Sequence, residues 1–329
     1  MMRRGIVALF AVCIVASCGG AATLPTEITG EVEVTSAPAT TAPPSCPPSE
    51  NERTDNVRSY PPLDTLPQPG AMPIGSTMAD IAERGHLIAG VSADTLLFGA
   101  RNSLTGNLEG FDIDMVTELA RSIFGDDLDG RIEYRVITYA ERLPSLESEA
   151  VDVVAHTMTI NCNRWLRIAF SAEYFAAGQK VLVTKGSGID TIEELAAAGG
   201  TVCAPEGSTN IDEVRSGKAE YDGLVVVGKP DISDCLVAMQ QGEADATTGD
   251  DTVLAGFAAQ DPNTEVVGDT FTSEPYGLGF NAGNVDFVQF ANAVIDDMRA
   301  DGRWKTIYER WLPAPAPAPP VALYTRPLP

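Results

Sequence analysis

Between residues 86 and 312 the chain alternates short runs rich in β-branched residues with segments of helical periodicity, and this alternation constrains the fold most. We expect strands at residues 86–91, 132–137, 151–155, 180–184, 201–204, 225–227 and 244–247. We expect helices at residues 111–124, 139–148, 192–198, 232–241, 286–301 and 304–312, and another that begins at residue 209. Such alternation is typical of mostly parallel α/β sheets, and about 235 residues fit two α/β lobes better than one.

The segments on either side of this region have a different composition. Residues 19–76 are rich in Pro, Thr, Ser, Ala and Glu and hold few aromatic residues, so they are expected to form a disordered stalk. Residues 313–329 open with alternating Pro and Ala and predict an extended, Pro-rich tail of polyproline type. The globular part is therefore expected at residues 77–312.

The first 18 residues carry a targeting signal. Arg3 and Arg4 precede the apolar run 6–16, which is too short to span a bilayer. Small residues then lead to Cys18, and this arrangement resembles the lipobox of bacterial lipoproteins. The resemblance implies that residues 1–18 are a signal peptide, that Cys18 is lipidated, and that the protein is extracytoplasmic and anchored to the cell membrane. An ordinary signal peptide with a chance cysteine is the alternative.

The charge balance excludes one class of partner. Acidic residues outnumber basic ones 46 to 22, which gives a formal net charge of −24. Nucleic acids need a basic face, so they are not expected partners, and the acidity also argues against lying on an anionic membrane. A small site inside an acidic protein is still able to attract an anionic ligand.

The chain has six cysteines, of which four are expected to be available for disulfide bonds. Cys13 leaves with the signal and Cys18 takes the lipid, so four remain in a compartment that permits disulfides. Four cysteines allow three pairings, and the residues alone do not choose among them. The chain has two histidines and no CxxC motif, so neither a metal nor a cofactor is expected.

Several motifs occur together in one order along the globular part. They are Gly110–Asp114, Leu146–Tyr174, Thr201–Thr209, Ala244–Asp251, Glu274–Phe280 and Asp301–Leu312. Together they resemble the polar-amino-acid solute-binding proteins of ATP-driven importers, which have the type II periplasmic-binding-protein fold. The resemblance implies two α/β lobes joined by two hinge strands, with lobe one at 77–183 plus 276–312 and lobe two at 184–275. Crossings between the lobes are expected near residues 181–185 and 276–279.

The same resemblance implies a function. The protein would capture a small polar amino acid, either an acidic one or its amide (glutamate, aspartate, glutamine or asparagine). Hinge closure would trap the ligand for delivery to the membrane permease of an ABC importer, and the receptor would be a monomer. One alternative is a sensor that signals to a membrane partner. Another is a dehydratase on the same fold, although no GxSxG or HExxH motif occurs and no Lys or Glu is placed in the cleft from sequence.

Residue roles follow from the matching motif positions. Arg164 would clamp the ligand α-carboxylate, because guanidinium is the two-pronged cation that fits it, and Thr159 would donate to it from the Thr157-containing turn. Ser208 and Thr209 would hold the carboxylate from lobe two, at a helix N-terminus. Each assignment has a plainer alternative, in which Arg164 forms a surface ion pair and Ser208 and Thr209 only cap a helix.

Asp250 would receive the ligand α-ammonium, with Asp251 the less favoured choice. The alternative is that both acids belong to a solvated turn. Gly110–Asp114 also has a plain interpretation, in which Asp112 caps a helix and Phe111 belongs to the core.

The ligand side chain would be recognised by residues that the motifs place less firmly. Either Ser92 or Asp94 would occupy the position after the first strand, and Phe98 is the candidate aromatic lid. His156 either is structural or faces the ligand side chain, where a ligand carboxylate would raise its proton affinity and favour acidic ligands at mildly acidic pH. Gln179 and Asn210 are further candidates.

The cysteines depart from the family pattern. The run Asn161–Arg164 stands where the family commonly has Thr-Pro-Glu-Arg, and Cys162 in place of Pro suggests a disulfide to Cys46. Cys203 and Cys235 lie in the same expected lobe and are predicted to pair. The alternative for that second pair is two buried free thiols.

Overall fold

The computed structural model describes residue 46, residues 57–312 and residues 314–329. The predicted signal peptide, Cys18 and the predicted stalk up to residue 56, apart from Cys46, lie outside these described residues. Within the described part, no helix is both long enough and apolar enough to cross a membrane.

The described part contains strands and helices in the alternating order expected from the sequence. The strands are β1 (Leu87–Val91), β2 (Asp94–Thr95), β3 (Gly99–Arg101), β4 (Leu108–Glu109), β5 (Ile132–Val136), β6 (Val153–Ala155), β7 (Ile168–Phe170), β8 (Phe175–Ala177), β9 (Gln179–Thr184), β10 (Thr201–Pro205), β11 (Val225–Lys229), β12 (Ala246–Asp250), β13 (Thr264–Val267), β14 (Glu274–Tyr276) and β15 (Gly279–Asn281). The α-helices are α1 (Thr77–Arg84), α2 (Phe111–Phe124), α3 (Arg142–Glu147), α4 (Cys162–Trp165), α5 (Ile192–Ala197), α6 (Thr209–Val214), α7 (Ile232–Gln240), α8 (Asp251–Gln260), α9 (Val285–Asp301) and α10 (Arg303–Trp311). Short 3₁₀ turns cover Tyr139–Glu141 and Ala219–Tyr221.

Lobe one is built on a five-stranded sheet in the order β5-β1-β6-β15-β7. Strand β1 runs parallel to β5 and β6, whereas β15 runs antiparallel to β6 and β7. The amphipathic helix α2 buries one face on this sheet, with Phe111, Val116 and Ile123 inaccessible to solvent. The carboxyl ends of β1, β5 and β6 therefore lie at one edge of the sheet, where an open α/β fold places its ligand site.

Lobe two repeats this layout. Its five-stranded sheet has the order β11-β10-β12-β9-β13, with β10 parallel to β11 and β12, and β9 antiparallel to β12 and β13. Both sheets thus combine parallel strands with one antiparallel strand, as expected when two crossings exchange strands between lobes. This arrangement is the type II periplasmic-binding-protein fold, which confirms the predicted fold class.

The crossings lie in a two-stranded antiparallel sheet formed by β8 and β14. Strand β9 already belongs to the second sheet, so the predicted first crossing near residues 181–185 is wrong: the chain crosses at Phe175–Ala177. The error has a simple cause, since two short apolar runs, residues 175–177 and 181–183, follow each other closely and the sheet to which each belongs is set by tertiary pairing. The second crossing, at Glu274–Tyr276, overlaps the expected position at its last residue.

Residues 57–76 are packed on lobe one, so the prediction of a disordered stalk is wrong for this segment. Ser59 is buried and its hydroxyl donates to Phe170 O at 2.8 Å. The Asn292 side chain donates to Ser59 Oγ at 2.9 Å and to Tyr60 O at 2.7 Å. The composition of this segment predicted that it would not pack against a core. These hydrogen bonds satisfy its buried polar groups, and Asn292 donates two of the three bonds.

The Pro-rich tail returns to the same face of lobe one. Arg58 and Leu323 form a parallel bridge, with Ser59 N donating to Leu323 O at 2.8 Å and Arg326 N donating to Ser59 O at 3.1 Å. The tail is extended, as its composition predicts, but it is docked through backbone hydrogen bonds.

Candidate functional site

The candidate site lies between the two lobes, where the ends of strands from each sheet face one another. Gly207 of lobe two, at φ 79°, approaches Ala140 of lobe one so closely that an added Cβ would lie 2.7 Å from Ala140 Cα. Both the positive φ and this approach require glycine at the start of the Gly-Ser-Thr turn. The lobes are therefore in direct contact across the cleft.

Arg164 lies in this cleft, as predicted. The Asn161 side chain caps α4 by accepting from Arg164 N at 2.9 Å, which orients the helix after the turn that follows β6. The Arg164 guanidinium donates to Thr159 O at 2.6 Å and across the cleft to Gly207 O at 3.3 Å. With 6% of its surface exposed, Arg164 is not a surface ion-pair residue.

A second arginine, Arg142, meets Arg164 at the same carbonyl and was missed by the sequence analysis. It is 1% exposed, stacks 4.5 Å over the Tyr139 ring, and donates to Tyr139 O, His156 O and Gly207 O, each at 3.0 Å. The sequence could have pointed to Arg142 through its position shortly after β5, at the carboxyl edge of a parallel sheet, where ligand sites lie.

The two guanidinium groups create a concentration of buried positive charge. Neither forms an ion pair with a carboxylate of the residues that the structure describes, since their hydrogen bonds go to carbonyl oxygens. Burial, and then the charge of Arg164, lower the pKa of Arg142 to about 9, and burial lowers the pKa of Arg164. The charges of nearby acids, Asp250 for both arginines and also Glu274 for Arg164, oppose these shifts without bonding to either guanidinium. Two buried cations that hydrogen-bond only to carbonyl oxygens among the described residues indicate a site for an anion.

Asp250 supplies negative charge to the same cleft. It ends β12, accepts from Asn210 Nδ2 at 2.8 Å, and accepts from the hydroxyl of Tyr276 on the hinge strand. Burial, and then repulsion from Glu274, raise its pKa from 3.8 to about 7. Asp250 is buried, so it does not belong to a solvated turn, whereas Asp251 starts α8 and accepts from the N–H groups of Thr252 and Gly178.

Thr159 and Thr209 face each other across the cleft around a carboxylate that the sequence analysis missed. Both hydroxyls donate to Glu274 Oε2, at 2.6 and 2.7 Å, and lie 3.2 Å from each other. Contact of Thr159 and Thr209 with a ligand stays a prediction. Such contact would require both hydroxyl groups to turn away from Glu274. Ser208 caps α6 by accepting from Ile211 N at 3.1 Å and donates to Pro205 O, so its side chain serves the plainer capping role.

The turn before α4 is strained and is held by two buried side chains. Thr157 has φ 41°, which a β-branched residue rarely adopts. Asp112 accepts from Thr157 N at 2.8 Å and from the Tyr174 hydroxyl at 2.6 Å, while Arg142 bonds the carbonyls on the other side of the turn. Asp112 thus braces the turn and does not cap α2, whose N-cap is Gly110. Phe111 belongs to the core, as predicted.

His156 is buried in lobe one, and its contacts fit the structural role that the sequence analysis offered as one of two. Its Nε2 lies 3.2 Å from Ile137 O, and its ring packs edge-on against Tyr139 at 4.6 Å. Burial, and then the charge of Arg142, lower its pKa to about 3. In this ligand-free cleft His156 is therefore neutral at mildly acidic pH, and the predicted effect of a ligand carboxylate on its proton affinity stays a prediction.

The residues after β1 also differ from expectation. Ser92 Oγ donates to Asp94 Oδ1 at 2.7 Å and accepts from the N–H groups of Asp94 and Thr95, so Ser92 stabilises a local turn. Asp94 accepts across the cleft from the hydroxyl of Ser233, at the start of α7. Phe98 is inaccessible and packs at 5.0 Å from the Phe175 ring, so it belongs to the aromatic core and its lid role stays unsupported.

Gln179 and Asn210 form a polar support for Asp250. Gln179 Nε2 donates to Asn210 O at 3.0 Å and to Thr248 Oγ1 at 2.8 Å, while the Asn210 side chain reaches Asp250. Gln179 Oε1 is buried without a hydrogen-bond partner among the described residues. Contact of either residue with a ligand side chain stays a prediction.

Both predicted disulfides are present. Cys203 and Cys235 join β10 to α7 with their Cα atoms 5.4 Å apart, and Cys46 and Cys162 join the segment before residue 57 to α4 with Cα atoms 5.9 Å apart. No cluster of three or more metal-ligating side chains occurs among the residues described.

Two lobes of this topology, closing over two buried arginines and the buried carboxylates of Asp250 and Glu274, define an extracytoplasmic solute-binding protein of type II fold. Residues 87–314 match the family of bacterial extracellular solute-binding proteins, family 3, and the chain belongs to that family. The glutamine-binding protein GlnH of the Bacillus subtilis ABC transporter is 35% identical over 72% of this chain and 84% of its own length. The glutamate-binding protein GluB of Corynebacterium efficiens is 29% identical over 70% of this chain and 80% of its own length.

Solved structures agree in fold. A mutant of the arginine-binding protein of T. maritima superposes with a TM-score of 0.65 at 31% identity, covering 72% of this chain and 99% of that one. The solute receptor for L-cysteine of Neisseria gonorrhoeae gives a TM-score of 0.66 at 26% identity, covering 72% and 94%. These relatives bind different amino acids, so the family establishes amino acid binding and the cleft itself must indicate which one.

Proposed function

We propose that this protein captures an acidic amino acid or its amide in the interlobe cleft and delivers it to the permease of an ABC importer. It would do so without catalysis, as a lipid-anchored monomer on the outer face of the cell membrane. Family membership supports the transport role, and the relatives named above include glutamine- and glutamate-binding proteins.

One observation carries the ligand class: two buried guanidinium groups converge on Gly207 O and hydrogen-bond only to carbonyl oxygens among the described residues, and the charge of Asp250 acts on both. An α-amino acid brings one carboxylate, for Arg164, and one ammonium, for Asp250. Arg142 then remains as an additional cation. A second carboxylate complements it best, a side-chain amide oxygen less well, and an aliphatic or basic side chain poorly.

Closure would follow from the same geometry. Arg164 and Arg142 belong to lobe one, whereas Gly207 and Asp250 belong to lobe two, so a ligand that touches both sets binds the closed form better than the open form. This difference in affinity shifts the hinge equilibrium towards closure. The antiparallel pair β8 and β14 joins the lobes and would accommodate the rotation.

Calorimetric titration of the purified protein with each of the twenty amino acids tests the proposal. We expect saturable 1:1 binding, tightest for glutamate or aspartate, weaker for their amides, and absent for lysine and arginine. Arg164→Ala and Asp250→Ala are expected to abolish it, while Arg101→Ala, an exposed residue in the β3–β4 hairpin, leaves it unchanged. A folded protein that binds no amino acid, or that binds arginine best, would refute the assignment.

A further inference from the structure

The helix that carries Arg164 is held from outside the lobe by two segments distant in sequence. We define the strap as residues 57–63 together with residues 321–326, which are joined by the Arg58–Leu323 bridge and the two backbone bonds of Ser59. The strap lies outside residues 87–314, the part that matches the family. The match to the family therefore does not account for the strap, and its role has to be inferred from its contacts with lobe one.

The strap contacts α4 through Trp165, the residue after Arg164. The Arg326 guanidinium stacks over the Trp165 ring at 3.5 Å from its centroid, and Tyr60 packs edge-on against the same ring at 6.0 Å and 84°. The indole also meets Phe170 of β7, with ring centroids 5.5 Å apart. Trp165 is thus held between the core of lobe one and the strap by stacking and cation–π contacts.

A covalent bond fixes the other end of the same helix. Cys162, the first residue of α4, is bonded to Cys46, which precedes the strap in sequence. Arg164 therefore lies between a disulfide at Cys162 and an aromatic clamp at Trp165. A helix of four residues has little stability of its own, so its orientation depends on such outside contacts.

We propose that the strap and the Cys46–Cys162 bridge are positioning elements of the ligand site, which act through α4 to hold the Arg164 guanidinium in its binding orientation. This inference rests on the proposed function, because it assigns the strap an effect on ligand affinity. The physical reason is preorganisation: a guanidinium already fixed in place loses less conformational freedom when a carboxylate binds.

Arg326→Ala, Arg326→Lys and the double variant Cys46→Ala/Cys162→Ala test the proposal, with Thr325→Ala as the matched control. Thr325 is an exposed neighbour of Arg326 in the same segment. Two quantities are measured in each variant: the Kd for glutamate by calorimetry, and hydrogen exchange of residues 159–167 in the ligand-free protein.

We expect Arg326→Ala and the double cysteine variant each to raise Kd about 5-fold or more and to accelerate exchange of residues 159–167, with the rest of lobe one unchanged. Arg326→Lys keeps the charge but loses the planar stack, so it should fall between wild type and Arg326→Ala. Thr325→Ala should match wild type.

Unchanged Kd in Arg326→Ala and in the double cysteine variant would overturn the positioning role, even if exchange accelerates. If wild-type protein binds none of the twenty amino acids, the proposed function fails by itself. Exchange then decides whether α4 depends on the strap, and wild-type exchange rates in all variants would overturn that dependence.

Discussion

At the scale of single residues, the cleft is a balance of buried charges of opposite sign. Arg142 and Arg164 repel each other on one side, and Asp250 and Glu274 repel each other on the other. Burial, and then the charge of its neighbour, lower the pKa of Arg142 and raise the pKa of Asp250, in each case towards the neutral form. A zwitterionic ligand with an extra carboxylate is able to relieve both repulsions at once, so its binding should be linked to protons.

The first prediction concerns that linkage. Free Asp250 has a pKa of about 7, and a ligand ammonium favours its ionised form, so binding below this pH must release a proton. Affinity for glutamate should therefore rise with pH up to about 7 and then level off, with Kd at pH 5.5 about 10-fold weaker or more. Calorimetry over this pH range, in buffers of different ionisation enthalpy, measures both the affinity and the protons released.

The control is Asp250→Asn, which should bind weakly and lose the pH dependence. Affinity that increases on acidification would contradict the prediction. Such a result would instead fit recognition by a protonated His156, whose lowered pKa argues against it.

The sign for folding stability follows from the same pKa. An unfolded aspartate releases its proton near pH 4, whereas native Asp250 keeps it to about 7. The native state therefore binds more protons in this window, and its contribution to stability falls as pH rises through it. Burial raises the pKa of Asp112 to about 6, so its contribution to stability also falls as pH rises. Buried His156 is neutral in the native state, so its contribution to stability rises with pH between about 3 and 6.5.

The second prediction concerns selectivity. Arg142→Lys keeps a cation but loses the planar group that reaches four carbonyls, so glutamate should bind about 10- to 100-fold more weakly. Glutamine should lose less, since its amide carries no charge. The ratio of the two Kd values is the readout, with the melting temperature as a check on folding. An equal loss for both ligands would mean that Arg142 supports the turn at Thr157 and does not read the ligand.

At the scale of elements, the sequence predicted the long periodic segments well and the short ones poorly. Helix α2 has the expected bounds of residues 111–124, because an amphipathic helix over a sheet shows its period directly. The three-stranded sheet β2–β3–β4 was not anticipated, since strands of two or three residues have no readable period. Arg164 was found because a motif marks it, whereas Arg142 and Glu274 became visible only when the two lobes were brought together.

The third prediction is argued on a link between two elements. The disulfide between Cys203 and Cys235 joins the central strand β10 to α7, and both residues are buried. Replacing both by Ala should lower the free energy of unfolding by roughly 3–4 kcal/mol in the chain-entropy description of a loop of this length. Urea unfolding followed by far-UV circular dichroism measures this loss. An unchanged midpoint would show that packing alone stabilises lobe two.

At the scale of the whole molecule, the closed arrangement is stabilised by hydrogen bonds between the two lobes. The Ser233 hydroxyl of lobe two donates to Asp94 of lobe one, and Arg142 and Arg164 reach Gly207. Contacts of this kind exist only when the lobes meet. Removing one should therefore affect the closed form and spare the folding of each lobe.

The fourth prediction uses Ser233→Ala. Loss of one hydrogen bond to a charged group should raise Kd about 10-fold and leave the melting temperature of ligand-free protein nearly unchanged. Small-angle scattering should show a smaller ligand-induced decrease in radius of gyration at subsaturating ligand. Ser103→Ala, in the exposed turn between β3 and β4, is the control. A lower melting temperature without a change in Kd would place the Ser233 bond in folding and not in closure.

The distribution of aromatic side chains over the lobes has an optical consequence. All three tryptophans of the chain, Trp165, Trp304 and Trp311, belong to lobe one, where Trp304 bonds Tyr174 O and Trp311 bonds Asp114. Intrinsic emission excited at the indole band therefore follows the melting of lobe one alone. A variant that weakens lobe two, such as Cys203→Ala/Cys235→Ala, should unfold at a lower denaturant concentration by circular dichroism than by tryptophan fluorescence. The difference between the two midpoints then measures how cooperatively the two lobes unfold.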